Sequence, residues 1–172
     1  MADKYVDSQR QNGLPARAHE SSGADLRFRS ITFETAVADT TGDIRRLFTV
    51  GAHEIPVRMD IVTDGITTMS SVDVGLYRPG VDGTVVDADA LGNAIDLSSA
   101  ISFVASSIKD GLIALAIEER GQKTFYDIAN DVLTTDIIGH LPKDSYDVCL
   151  TYNTDVAEAE TVTVHLYTID SQ

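Results

Sequence analysis

From Leu26 onward apolar and polar residues alternate with a period of two, and that pattern predicts β-strands. Leu26, Phe28, Ser30, Thr32 and Glu34 share one face; Arg27, Arg29, Ile31, Phe33 and Thr35 share the other, in a stretch rich in β-formers. A turn signal, Thr40-Thr41-Gly42-Asp43, precedes strands over Arg45–Val50 and Glu54–Val62, with Gly51-Ala52-His53 between them. Pro56 lacks an N–H for a ladder, so it is expected at a sheet edge or near a strand start. Ile66–Arg78 reads as the next strand and stops at Pro79-Gly80; Asp82-Gly83 suits a hairpin tip or short loop.

The middle of the chain is less regular. Val85–Ser99 mixes small and acidic residues and is expected to form a loop with one helical turn. Ile101–Ser107 and Leu112–Ile117 read as buried strands separated by Lys109-Asp110-Gly111. Over Glu118–Val132, Phe125, Ile128, Ala129 and Val132 recur at helical spacing, with Thr124, Asp127 and Asp131 on the wet side. Tyr146–Asn153 and Thr161–Ile169 alternate well and flank a polar loop, Thr154–Glu160, which predicts a C-terminal antiparallel hairpin. About seven or eight short strands with one short helix, and no βα alternation, indicate an all-β fold: an antiparallel β-sandwich, jelly-roll-like.

Residues 1–24 lack this periodicity. Their scattered apolar side chains and the breakers Gly13, Pro15, Ser21, Ser22 and Gly23 predict an extended N-terminal arm ahead of a sandwich domain over 25–172. Extended at about 3.3 Å per residue, such an arm reaches roughly 80 Å, enough to cross a neighbouring subunit.

Charge sharpens this division. The chain has 172 residues and a formal net charge of -14. Residues 1–48 balance seven basic against seven acidic side chains, whereas residues 49–172 carry six against twenty. An excess of acid argues against nucleic acid, whose binding depends on neutralising phosphates, and against an anionic membrane surface. The uneven placement suggests a polarity, with the arginine-bearing arm and first strands docking and the acidic remainder facing water. On that reading Arg10, Leu14, Arg17, Arg27, Arg29, Arg45 and Arg46 are the candidate contact residues. No apolar run approaches the roughly 20 residues of a spanning helix. The first residues lack the apolar stretch of a secretory signal.

Searches for chemistry mostly fail. Asp87, Asp89 and Gly92 imitate the start of a calcium loop, but Leu91 and Ser98 stand where oxygen ligands belong. An incidental calcium contact through Asp82, Asp87 or Asp89 is the residual expectation. His19, His53, His140 and His165 are never at ligand spacing on one element. Cys149, the sole cysteine, sits in an alternating strand and reads as a buried structural thiol, with no disulfide available. No nucleophile elbow, Walker loop or dinucleotide fingerprint occurs. Neither enzymatic activity nor a cofactor is expected, and with no Trp an aromatic sugar platform is poorly supplied.

The segment Asp73–Ala100, DVGLYRPGVDGTVVDADALGNAIDLSSA, resembles a family of tailed-bacteriophage virion proteins. In that family a strand ending D-V-G-L-Y-R is followed by a Gly turn, V-V-D-A-D and a short A-x-D-L-S-x-A segment. The matching residues are Asp73, Val74, Gly75, Leu76, Tyr77, Arg78, Val86, Asp87, Ala88, Asp89, Ala94, Asp96, Leu97 and Ala100. Weaker similarity extends to the arm, to Thr124–Val132 and to Tyr146-Asp147-Val148; the family's helix often carries a Trp where this chain has Phe125-Tyr126. The resemblance implies a capsid cement or decoration protein, made in the host cytoplasm. It would bind the major capsid protein on the outside of the head, as a homo-oligomer, dimer or trimer. A tail or head–tail connector component, or a carbohydrate-binding adhesin module, are the alternative readings.

Overall fold

The computed structural model describes residues 26–80, 84–101, 109–116, 120–131 and 144–170. The expected arm (1–24), Asp82-Gly83, most of Ile101–Ser107 and the ends of the expected helix lie outside these residues. Eight strands are described: β1 (Leu26–Glu34), β2 (Ile44–Gly51), β3 (Glu54–Thr63), β4 (Val72–Tyr77), β5 (Val85–Ile95), β6 (Lys109–Asp110), β7 (Ser145–Tyr152) and β8 (Thr161–Asp170). One helix, α1 (Phe125–Asp131), lies between β6 and β7. The strands form two antiparallel four-stranded sheets, ordered β1-β8-β3-β6 and β2-β7-β4-β5. This interleaving, with the chain crossing between sheets at almost every connection, is the strand order of a jelly roll.

The core lies between the sheets. Val162, Val164 and Leu166 of β8 point inward at every second residue, facing Tyr146, Val148, Leu150 and Tyr152 of β7. These are the faces the alternation predicts. β7 and β8 do not form the expected hairpin, however: they lie in different sheets, β7 between β2 and β4, and β8 between β1 and β3. Sequence adjacency suggested pairing, but each strand gains two longer-range neighbours by crossing the sandwich.

Two further expectations are corrected. Val85–Ser99 is largely strand, not loop: β5 runs antiparallel to β4 with register shifts between Val72 and Val74, Val74 and Leu76, and Leu76 and Tyr77. These shifts disrupt the alternation that would have marked it as a strand. Leu112–Ala116 forms turns, whereas the supposed separator Lys109-Asp110 is the short strand β6, paired with Asp60 and Ile61. Leu112 and Leu115 are still buried, so their apolarity reports burial without strand geometry.

Pro56 stands near the start of β3 and pairs with Thr168, just before a bulge that leaves Val57 without a register partner. The bulge changes which parity faces the core: Glu54 and Pro56 are inward before it, Met59, Ile61 and Thr63 after it. The helix is capped reciprocally. The Thr124 Oγ1 accepts the Asp127 N–H at 3.1 Å, and the Asp127 carboxylate accepts the Thr124 N–H at 3.0 Å. Phe125, Ile128 and Ala129 fill its core face as expected.

Candidate functional site

β1 and β2 are the terminal strands of their respective sheets. Their arginines do not form a free basic patch. Arg29 grips the Glu54 carboxylate with both guanidinium nitrogens at 2.7 Å, and Arg27 reaches the same carboxylate at 3.3 Å. Glu54 also accepts bonds from Thr168 Oγ1 at 2.6 Å and from the Gly51 N–H at 3.0 Å, and it is only 4% exposed. Burial by itself would raise this carboxyl; the Arg29, Thr168 and Gly51 bonds and the Arg29 charge outweigh it and hold the value at about 2. One carboxylate thereby ties β1, β3 and β8 together.

On β2, Arg45 pairs with Asp39 at 3.3 Å and lies 4.9 Å from the Phe33 ring centroid. Arg46 pairs with Asp147 at 3.0 Å, and Thr49 donates to the same carboxylate at 2.7 Å. The structure thus places Arg27, Arg29, Arg45 and Arg46 on one side of the sandwich and satisfies each within the chain. Arg10, Leu14 and Arg17 lie outside the described residues.

That side is distinguished by apolar exposure. Among the described residues six large apolar side chains are exposed, and four of them, Leu26, Phe28, Val37 and Ile44, lie in β1, β2 or the turn between. A groove of about 400 Å³ runs between the two strands, lined by Ile31, Phe33, Ile44, Arg45 and Tyr152. On the outer face of β1, Phe28 packs against His165 and Tyr167, with ring centroids 5.3 Å and 5.1 Å apart. Sequence reasoning missed Glu54 and these apolar residues. The available signal was β1 itself, which carries large apolar residues on both faces.

The Asp73–Ala100 segment has mainly fold-holding roles. Asp73 accepts the N–H of Ala94 at 2.8 Å, steadying that residue's φ of 51°. Leu76 is in the core, and the hydroxyls of Tyr77 and Thr151 lie 2.6 Å apart. The Arg78 N–H closes a turn onto Thr84 O at 2.9 Å. Asp96 accepts the Ser98 N–H at 2.8 Å. Asp89 is held by the Asn93 side chain at 2.6 Å.

Asp87 is the exception. It is 8% exposed beside a cavity of about 390 Å³ lined also by Asp89, Asn93, Leu115, Lys123 and Ile128. Burial, then the neighbouring Asp89, push its carboxyl up to about 6. The charged form is disfavoured in the fold, so Asp87 adds stability below its ordinary value of 3.8 and loses that contribution as pH rises through about 6. Asp87→Asn is therefore expected to stabilise the protein by about 1 kcal/mol at pH 8 and by almost nothing at pH 4, read by urea unfolding at the two pH values. No group of three or more His, Cys, Asp or Glu among the described residues is disposed to hold a metal. Cys149 is fully buried, and burial, followed by the Asp147 charge, pushes its thiol up to about 12, opposite to what a nucleophile needs.

Among the described residues, fold and surface together define a jelly-roll sandwich whose β1–β2 side carries four of the six exposed large apolar side chains. In three-dimensional comparison it is similar to a chain in the capsid of Ralstonia phage GP4, with 15% identity, a TM-score of 0.55, and coverage of 92% of this chain and 90% of that one. A chain in the capsid asymmetric unit of cyanophage Pam1 aligns at 13% identity and a TM-score of 0.47, over 91% of each chain. No protein-family model and no curated protein sequence matches this chain.

Proposed function

We propose that this chain is a non-enzymatic structural protein of a tailed-phage head: a cement or decoration protein on the outer capsid surface that ties neighbouring major capsid protein subunits together. The observation that carries the reading is the likeness, over nine-tenths of the chain, to a chain in a phage capsid. The jelly roll is an architecture viral capsids use repeatedly. The family resemblance of Asp73–Ala100 points the same way, and β4 and β5 give that segment its structural logic.

Function in such a protein resides in interfaces. The exposed Leu26, Phe28, Val37 and Ile44 supply a docking side, while the acidic residues of 49–172 keep decorated particles apart. Repeated weak sites on a lattice reinforce one another through effective concentration, so each contact can be modest.

Two measurements test this. Gel densitometry of purified virions is expected to give copies in the hundreds per particle; about six or twelve, as in a ring at one vertex, overturns the cement reading. Deleting residues 1–24 is expected to preserve the sandwich, because the deletion ends before β1, and to weaken binding to expanded heads. Unchanged binding removes the arm from the mechanism.

A further inference from the structure

Among the described residues, β1 is the least protected strand edge. The β5 ladder breaks register three times and carries Asp87 and Asp89; β2 is broken between Arg46 and Phe48; β6 has two residues. Breaks, charges and shortness are the devices that stop a sheet edge from pairing with another chain. β1 has none of the first and third. It pairs with β8 over nine residues without a register shift, contains no Pro, Gly or Lys, and has no fully buried side chain. Leu26 and Phe28 on it are 64% and 56% exposed. Its two arginines are engaged by Glu54 and leave the edge itself without an unpaired charge from them.

We propose that β1 pairs antiparallel with β1 of a second copy, about a two-fold axis through Ser30, joining two four-stranded sheets into one continuous sheet. The occupant follows from the register. Centring on Ser30 is the arrangement that uses all nine residues, and it places Leu26 opposite Glu34, Arg27 opposite Phe33, Phe28 opposite Thr32 and Arg29 opposite Ile31 of the other copy. No like charges stand directly opposite each other; the two Arg29 residues are diagonal neighbours, each held by Glu54 of its own chain. Centring one residue earlier sets Arg29 against itself, and one residue later shortens the ladder to the seven residues from Phe28 to Glu34. β1 is thus complementary to its own sequence at full length. On the inner face each arginine then stands opposite an apolar or aromatic residue, the kind of neighbour Phe33 already offers Arg45.

The same side of the sandwich carries Val37, Ile44 and the β1–β2 groove, which add apolar area beyond a single strand pair. With one strand pair and this rim as its whole contact, a dissociation constant in the micromolar range is expected. This pairing does not depend on the capsid reading, and it is tested on the purified full chain alone.

Sedimentation equilibrium is expected to show a monomer–dimer system. Ser30→Lys sets two ammonium groups across the axis and is expected to weaken the dimer at least tenfold. Ser30 is exposed, so the unfolding midpoint of the monomer should not move. Ser30→Cys provides a second readout: directly opposed residues have Cα atoms about 4.5–5.5 Å apart, within disulfide range, and mild oxidation should give a covalent dimer. Cys149 is buried and does not compete. Leu26→Cys, placed opposite Glu34 rather than itself, should stay uncrosslinked. A monomer at hundreds of micromolar, or a trimer, whose contacts cannot be isologous, overturns the proposal. A dimer that tolerates Ser30→Lys while Ser30→Cys fails to crosslink also overturns it, because another surface then makes the contact.

Discussion

Glu54→Ala is expected to cost about 3–5 kcal/mol of unfolding free energy, measured by urea titration at pH 7. The substitution removes the shared acceptor of Arg29, Arg27, Thr168 and the Gly51 N–H in one step. Arg29 is left half-buried without its carboxylate, and the Thr168 hydroxyl is left fully buried with one fewer acceptor. Glu54→Gln keeps the shape and one acceptor oxygen but loses the charge, and about 2 kcal/mol is expected. The pH dependence separates this effect from a simple cavity. Because the folded carboxyl sits at about 2 against an ordinary 4.5, its contribution is complete above about pH 4.5 and disappears as pH falls toward 2. The Glu54→Ala variant should therefore lose the corresponding part of the wild-type acid transition. Asp87 acts with the opposite sign, its contribution fading as pH rises through about 6. Of these two groups, then, Glu54 favours the fold increasingly as pH rises from about 2 to 4.5, and Asp87 ceases to favour it as pH rises through about 6.

Gly75→Ala is expected to be comparably severe, at about 3 kcal/mol or more, and to show as a lowered urea midpoint or as insoluble expression. A Cβ at Gly75 would stand 2.2 Å from the carbonyl oxygen of Asp87 and 2.3 Å from the carbonyl carbon and oxygen of Ala88. These are backbone atoms of β5, and the irregular β4–β5 ladder brings them over Gly75. No rotamer change can relieve the contact; the two strands would have to separate. That close approach explains why a glycine interrupts an otherwise bulky strand, Val72 to Tyr77. Loss of the β4–β5 pair would also release the Asp73 bond to Ala94.

Much of the fold was legible in local patterns. The period-two runs marked β1, β2, β3, β7 and β8, and the helical spacing of Phe125, Ile128 and Ala129 marked α1. Each of these carries its signal within a few residues, since burial of one face demands apolar side chains at a regular interval. β5 escaped because register shifts and small residues erase that interval. β6 escaped because two residues are too few to make one. The side bearing Arg27, Arg29, Arg45 and Arg46 was legible as a cluster in sequence, but not the fact that each arginine has an acidic partner in the folded chain. Those partners lie 25 or more residues away for Arg27 and Arg29 and 101 away for Arg46.

The sequence by itself determined the class of this protein: an acidic, disulfide-free β-sandwich without catalytic motifs, with its core faces written in the alternation of each strand. Only the tertiary structure decided how the strands interleave, and hence that β7 and β8 lie in separate sheets and that β1 and β2 end their sheets. It alone decided the role of Glu54. Continuing inward alternation back from Met59 would turn Glu54 toward solvent; the bulge at Val57 reverses the parity and turns it toward Arg29 and Thr168. A one-residue insertion in a ladder is a property of two paired strands, and no reading of a single strand contains it.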